Sequence, residues 1–269
     1  MPTPALPVSP ADRRYGRSAP PPMPLHRMLR RITPGLSPAV SLLASAGPVK
    51  NQSDEGSCTA HAGTGAMEWI FRAYHKAQPI LSPQYLYACE LLRQGNFPED
   101  SGSDGQTLCE SMIFKGCCLE SAYPYVAGQI LSPTAAQDAT ARHYAMGAYH
   151  GVGGSAVAAS VLGDPVPWPL LIGFTVYNSF ESDAVAATGI VPLPKPQEAV
   201  LGGHEVLCLG YDIGVNPTIR PQGCPPAFLI RNSWGAGWGL NGNCWMPREY
   251  FDMADTDIKI AHSGHPWAV

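Results

Sequence analysis

The residues of this sequence best placed to do chemistry are Cys58, His204, Asn232 and Gln52. Cys58 sits where a polar turn, Gln52-Ser53-Asp54-Glu55-Gly56-Ser57, meets a segment with helical patterning. Gly63, Met67, Ile70, Phe71 and Tyr74 recur at helical spacing and predict one buried stripe. Gly56 and Ser57 supply a turn and an N-cap, which puts Cys58 in the first helical turn. There the unpaired backbone N–H groups and the positive end of the helix dipole favour thiolate over thiol. Taken alone, a free cysteine is more often an inert core residue. A reactive one needs a base beside it.

Two later stretches could supply that base. Gly202-Gly203-His204-Glu205-Val206 puts a histidine at the head of an apolar, strand-like run. Asn232-Ser233-Trp234-Gly235-Ala236-Gly237-Trp238-Gly239 follows another such run, Ala227 to Arg231. An imidazolium next to Cys58 would hold the thiolate and later protonate a leaving amine. An asparagine oxygen would orient the ring through its second nitrogen without adding a charge. The Gln52 side chain and the Cys58 N–H would serve a tetrahedral oxyanion, where losing one donor typically costs on the order of 10²–10³ in rate. Cys58 with His61 resembles half of a metal site, but no second pair follows, so neither metal nor cofactor is expected.

The elements that must position these groups change character along the chain. Residues 1–33 are proline-rich, with Pro20-Pro21-Pro22 and Pro24, and read as an extended arm. Met23, Leu25, Met28 and Leu29 give that arm something to bury. Residues 34–145 are mainly helical: after the Cys58 helix, Ser82-Pro83 is a strong helix start, predicted to run to about Gln94 before Gly95. A third helix is expected from Asp104 or Gly105 to Lys115, stopped by Gly116. Residues 146–269 turn to strands, with Leu170–Tyr177, Glu205–Tyr211 and Ala227–Arg231 as the clearest. Helices first and strands second predict an α+β protein with two lobes.

Bulk properties fit a chain with a substantial core. It has 269 residues, 45% of them hydrophobic, and a net charge of −4. No basic face is present, so nucleic acid is not the expected partner, and no apolar run reaches membrane-spanning length. The first 33 residues lack the apolar region of a secretory signal, and compartment stays open. Eight cysteines allow disulfides without demanding them.

Val49-Lys50-Asn51-Gln52 with Gly56-Ser57-Cys58, then Gly203-His204, then Asn232-Ser233-Trp234-Gly235 with Gly237-Trp238-Gly239, resembles the papain-like cysteine peptidases. Leu81-Ser82-Pro83-Gln84 and Tyr123-Pro124-Tyr125 extend the likeness over roughly Pro34 to Trp245. The resemblance implies a helical lobe carrying the nucleophile, a barrel-like strand lobe, and an active-site cleft between them. It implies Cys58 as nucleophile, His204 as base and acid, Asn232 as orienter and Gln52 as oxyanion donor. Trp234 would shield the His–Asn contact, while Gly102, Ser103 and Gly203 would bind the peptide; Ser103 stands where the family usually has a second glycine. Glu55 replaces a cysteine usual before the nucleophile, which removes the expected partner of Cys89. Thr59 and His61 stand where tryptophan and phenylalanine are common. This wording is closer to bacterial members such as xylellain than to plant or lysosomal ones.

The family's helical pro-domain is far longer than the 33 residues available, so the arm, especially Pro20 to Leu29, is expected to lie over the cleft and hold the enzyme latent. The expected activity is that of a cysteine endopeptidase acting on peptide or protein substrates. An exopeptidase or peptide-transferring enzyme with the same site, and an inactive or plugged peptide-binding module, are the alternatives.

Overall fold

The computed structural model describes residues 13–21, 24 and 27–262. The first half builds three helices, α1 (Cys58–Tyr74), α2 (Pro83–Gln94) and α3 (Gly105–Phe114). Local sequence explains their ends. Ser82 Oγ accepts from the Tyr85 N–H at 3.0 Å, Pro83 occupies the first turn, and Gly95 closes α2 in a left-handed conformation, φ 78°. Asp104 caps α3 by accepting from the Gln106 and Thr107 N–H groups at 2.8 and 3.0 Å.

α1 departs from its sequence reading in two ways. Ser57 precedes it, but the hydroxyl does not cap the helix; it meets the Tyr125 hydroxyl at 3.0 Å and His61 Nδ1 at 3.3 Å. The helix is also buried nearly all round from Cys58 to Phe71, not along one stripe. It is enclosed by α2 and α3 and by the long strand described next. Met67, Trp69 and Ile70 each contribute about 1.5–3 kcal/mol by that burial. The Trp69 indole N–H is satisfied by the Leu42 carbonyl at 2.8 Å.

The strands are β1 (Met28–Leu29), β2 (Ala39–Ser41), β3 (Ala148–Val152), β4 (Leu170–Tyr177), β5 (Val200–Asp212), β6 (Ala227–Arg231), β7 (Asn243–Pro247) and β8 (Asp257–His262). They form one sheet in the order β1-β3-β8-β4-β5-β6-β7, with β2 also on β5. β5 is its longest strand and lies antiparallel to both β4 and β6. Short helices α4 (Ala135–Ala141), α5 (Gly154–Leu162) and α6 (Asp183–Thr188) fill the connections. The result is an α+β fold in which a helical layer meets a strand-rich half across the ends of α1 and β5. β1 and β2 precede α1 in sequence yet belong to that sheet.

The arm does not follow the path expected of it. Met28 and Leu29 pair in parallel with β3 at the sheet edge, away from β5. Pro22, Met23, Leu25 and His26 lie outside the described residues. The segment that enters the cleft is Arg13 to Ser18, which carries three arginines and little apolar surface. All eight cysteines are unpaired and buried.

Candidate active site

Cys58 opens α1 and is fully buried. The backbone of Glu205, the residue after His204, and that of Thr59 act to lower its thiol pKa, against burial. His204 lies within β5, opposite Phe174 of β4, also fully buried. Its Nε2 lies 2.8 Å from Asn232 Oδ1, and that oxygen also accepts from the Ser233 N–H at 2.8 Å. β5 and β6 are antiparallel neighbours, so the turn after β6 brings Asn232 back to His204. The Trp234 ring stacks on the imidazole, centroids 5.0 Å apart and planes 24° apart. Phe180 and Trp238 brace that indole edge-on at 5.7 and 5.1 Å. The His–Asn contact is thereby kept out of water.

His204 Nδ1 has no hydrogen-bond partner among the described residues, and no hydrogen bond joins it to Cys58. The Cys58–His204 hydrogen bond expected from sequence is therefore not made in this arrangement. Burial bears on both groups. It pushes the Cys58 thiol up to about 12 and His204 down to about 4, the Asn232 hydrogen bond opposing the second shift only partly.

Gln52 is fixed from both ends of its amide. Nε2 donates to the Glu55 carbonyl at 2.8 Å, and Oε1 accepts from the Ser233 hydroxyl. The second Nε2 hydrogen is left for another acceptor. The Gln52 N–H donates to the Ser233 carbonyl at 2.8 Å, and Asn51 forms an antiparallel bridge with Trp234. The turn before Cys58 and the turn after β6 are thus one unit. Glu55, at the position of the missing cysteine, accepts from Gln84 Nε2 at 2.9 Å and from the Gly128 N–H at 2.9 Å. A buried polar cross-link replaces a covalent one. His61 is equally committed, its Nδ1 2.9 Å from the Ser57 carbonyl and its ring edge-on to Tyr125.

Residues 13–18 run between the two walls of this site. Gly16 bridges Gly203 and Arg17 bridges Ser103, both in parallel. The Arg17 N–H donates to the Gly203 carbonyl at 3.1 Å, the Ser103 N–H to the Gly16 carbonyl at 2.6 Å, and the Ser18 N–H to the Ser103 carbonyl at 2.7 Å. The arm's backbone hydrogen bonds thus fall on Ser103 and Gly203, two of the expected peptide-binding positions, and Gly16 packs against a third, Gly102. The fit depends on absent side chains. A Cβ on Gly102, whose φ is +75°, would come within 1.8 Å of the Gly16 carbonyl oxygen. A Cβ on Gly203 would meet the Arg17 carbonyl oxygen at 2.3 Å. Further along, Tyr15 turns its ring to His204, 6.4 Å between centroids. The Arg13 guanidinium sits 4.0 Å over the Trp234 ring, so the fourth expected position is covered as well.

The arm's cations meet acids that sequence reading passed over. Arg13 pairs with Glu181, and Arg14 with Asp100 at 3.0 Å. Arg17 reaches Glu205 at 3.6 Å and Asp257 at 3.9 Å. Burial pushes the Glu205 carboxyl up to about 8, with Arg17 pulling the other way. Glu205 left one signal in the sequence: an acid within the otherwise apolar run after His204. Glu181 and Asp257 left none, because only the fold brings them to the cleft.

A sequence profile of the papain family cysteine proteases matches residues 42–263. The chain belongs to that family. Among its relatives, the uncharacterized peptidase C1-like protein L477 of Acanthamoeba polyphaga mimivirus is 28% identical over 77% of this chain. Cysteine proteinase 1 of Dictyostelium discoideum is 28% identical over 75%. The chain spans 66% and 57% of those two proteins' lengths. Xylellain, a cysteine protease from Xylella fastidiosa, superposes with a TM-score of 0.80 at 25% identity, covering 94% of this chain and 98% of its own. Digestive procathepsin L 3 of Tenebrio molitor shares the fold at a TM-score of 0.69 and 20% identity, covering 92% of this chain and 76% of its own. The papain-like two-lobe architecture, the family and the likeness to xylellain read from the motifs agree with these findings.

Proposed function

We propose that this papain-family protein is a cysteine endopeptidase that cuts peptide bonds through a thioester acyl-enzyme. The Cys58 proton passes to His204 Nδ1, and the thiolate attacks the carbonyl carbon. The resulting oxyanion is met by the free Gln52 Nε2 hydrogen and by the Cys58 N–H. His204 then gives its proton to the leaving amine, and water releases the acyl group with His204 as base. Asn232 holds the ring, Trp234 covers that contact, and Gly102, Ser103 and Gly203 carry the substrate backbone. The observation that carries this reading is the buried His204–Asn232 hydrogen bond at 2.8 Å, which leaves the opposite ring nitrogen without a partner.

The docked arm favours a second element, latency. A leaving amine must lie at His204, so a substrate runs C-terminally from the cut toward Trp234, with its acyl side toward Ser103. The arm is laid the other way, Arg13 at Trp234 and Ser18 at Ser103. It fills the cleft with its peptide bonds reversed, which accounts for a bound segment that is not a substrate.

The test uses a chain folded whole and then nicked at a cleavage site substituted into residues 19–21. An epoxide thiol probe, read by intact mass, is expected to label the nicked protein rapidly and once, the intact chain slowly, and Cys58→Ala not at all. Equal labelling of intact and nicked forms would end the latency reading. Absence of Cys58-dependent labelling in both would end the peptidase reading and leave a peptide-binding module.

A further inference from the structure

The cleft holds a side-chain pocket whose chemistry departs from its apolar surroundings. Its walls are Gly105 at the start of α3, Gly173 of β4, Glu205 of β5 and Asp257 and Lys259 of β8. Cβ atoms added at either glycine would fill it. At Gly173 a Cβ would meet Arg17 Nε at 2.3 Å and Glu205 Oε2 at 2.6 Å. At Gly105 it would come within 3.0 Å of Asp257, 3.1 Å of Lys259 and 3.4 Å of Glu205. Two glycines therefore keep open a space walled by ionisable groups.

The charges in that space are not balanced by the walls alone. Lys259 pairs with Asp257, and both belong to β8. Glu205 is 1% exposed, and neither of its carboxylate oxygens has a hydrogen-bond partner among the described residues. A buried acid without a partner is costly unless something fills the site. What fills it here is the Arg17 side chain, itself buried, with Nε 3.6 Å from Glu205 and Nη2 3.9 Å from Asp257. Those separations are long for a finished fork of hydrogen bonds.

We propose that this pocket selects a guanidinium side chain, so that the peptides cut are those carrying arginine at the position over Ser103. The inference rests on the peptidase reading above and names its substrate class. Arg17 is then a mimic of the substrate side chain, and Glu205 the residue that sets selectivity.

Turnover by the nicked protein would be compared for peptides differing at that one position, arginine against citrulline and leucine. Citrulline keeps the shape and loses the charge. An arginine preference of at least about tenfold in kcat/KM is expected, with Glu205→Gln reducing the arginine-to-citrulline ratio toward one. A second measurement needs no turnover: displacement of the nicked arm by synthetic Arg-Arg-Tyr-Gly-Arg-Ser, and by the same peptide with citrulline for the third arginine. Tighter binding of the arginine form, lost in Glu205→Gln, supports the pocket. Peptides cut, or bound, without an arginine preference would overturn this inference and leave the peptidase intact. Arginine-selective binding with no turnover and no labelling of Cys58 would sink the peptidase reading instead.

Discussion

His204 presents one ring nitrogen to Asn232 at 2.8 Å and leaves the other without a partner, under a Trp234 ring 5.0 Å away. One nitrogen is held and the other is free to work. That asymmetry makes the contribution of Asn232 separable from that of the nucleophile. Asn232→Ala removes a hydrogen bond to a ring that becomes charged during turnover, worth about 1.5–3 kcal/mol. In the nicked protein kcat/KM should fall by about 10- to 100-fold, with labelling of Cys58 slowed but not abolished. Unchanged kinetics would remove Asn232 from the mechanism.

Gln52 faces a different test, because both ends of its amide also hold the turn. Gln52→Ala should lower kcat by roughly 10²–10³ while leaving KM close to its original value. Gln52→Glu keeps the contact size and replaces the donor by an acceptor. It should be at least as damaging. A variant that loses only affinity would mean that Gln52 serves substrate binding and not the oxyanion.

Gly16 can be used to open the cleft without cutting the chain. A Cβ there would lie 1.9 Å from the Gly56 carbonyl oxygen, backbone that cannot move aside cheaply. Gly16→Ala in the intact chain should therefore be labelled by the epoxide at close to the nicked rate. Gly102→Ala narrows the same place from the other wall, against arm and substrate alike. It should release the arm yet leave peptide turnover poor.

Buried titratable groups predict how stability depends on pH. Burial holds His204 down to about 4 and His61 down to about 3, so their stabilising contribution is complete above about 6.5 and is lost as pH falls through those values. Burial pushes Glu90 up to about 8; its contribution is complete below about 4.5 and is lost as pH rises through 8. Glu90 accepts from the Thr59 hydroxyl at 2.5 Å, and Glu90→Gln keeps an acceptor there while removing the proton loss. Above about pH 6.5, where the histidine contribution is complete, the Tm of the intact chain should fall up to pH 8, and fall less in Glu90→Gln. An identical slope in both would show that Glu90 is not the group responsible.

Sequence reading found what is written locally. Ser82-Pro83 and Gly95 bound α2, and Asp104 and Gly116 bound α3, because caps act within one turn. Cys58 and Asn232 were legible because they stand where a helix begins and a strand ends; His204 was legible at the head of an apolar run, although β5 itself begins earlier, at Val200. Relationships across the chain were not. β1, β2 and β8 are short and gain their place by pairing with distant strands. The one-stripe reading of α1 failed because a helix surrounded by two helices and a strand is buried on every side. The cleft-filling segment was sought in apolar Pro20 to Leu29. It is held instead by cations, whose partners Asp100, Glu181, Glu205 and Asp257 are scattered along the sequence.

The split of the site between α1 and β5 also bears on how the protein comes into being. A ribosome delivers Arg13 to Ser18 before Cys58, and only much later His204 and Asn232. A nascent chain that has completed its three helices owns a thiol but no base, and cannot yet attack its neighbours. When β5 and β6 finally emerge and close the second wall, the segment that occupies the cleft has already been made. Synthesis in this order leaves no interval in which thiol and base stand together with the cleft unfilled.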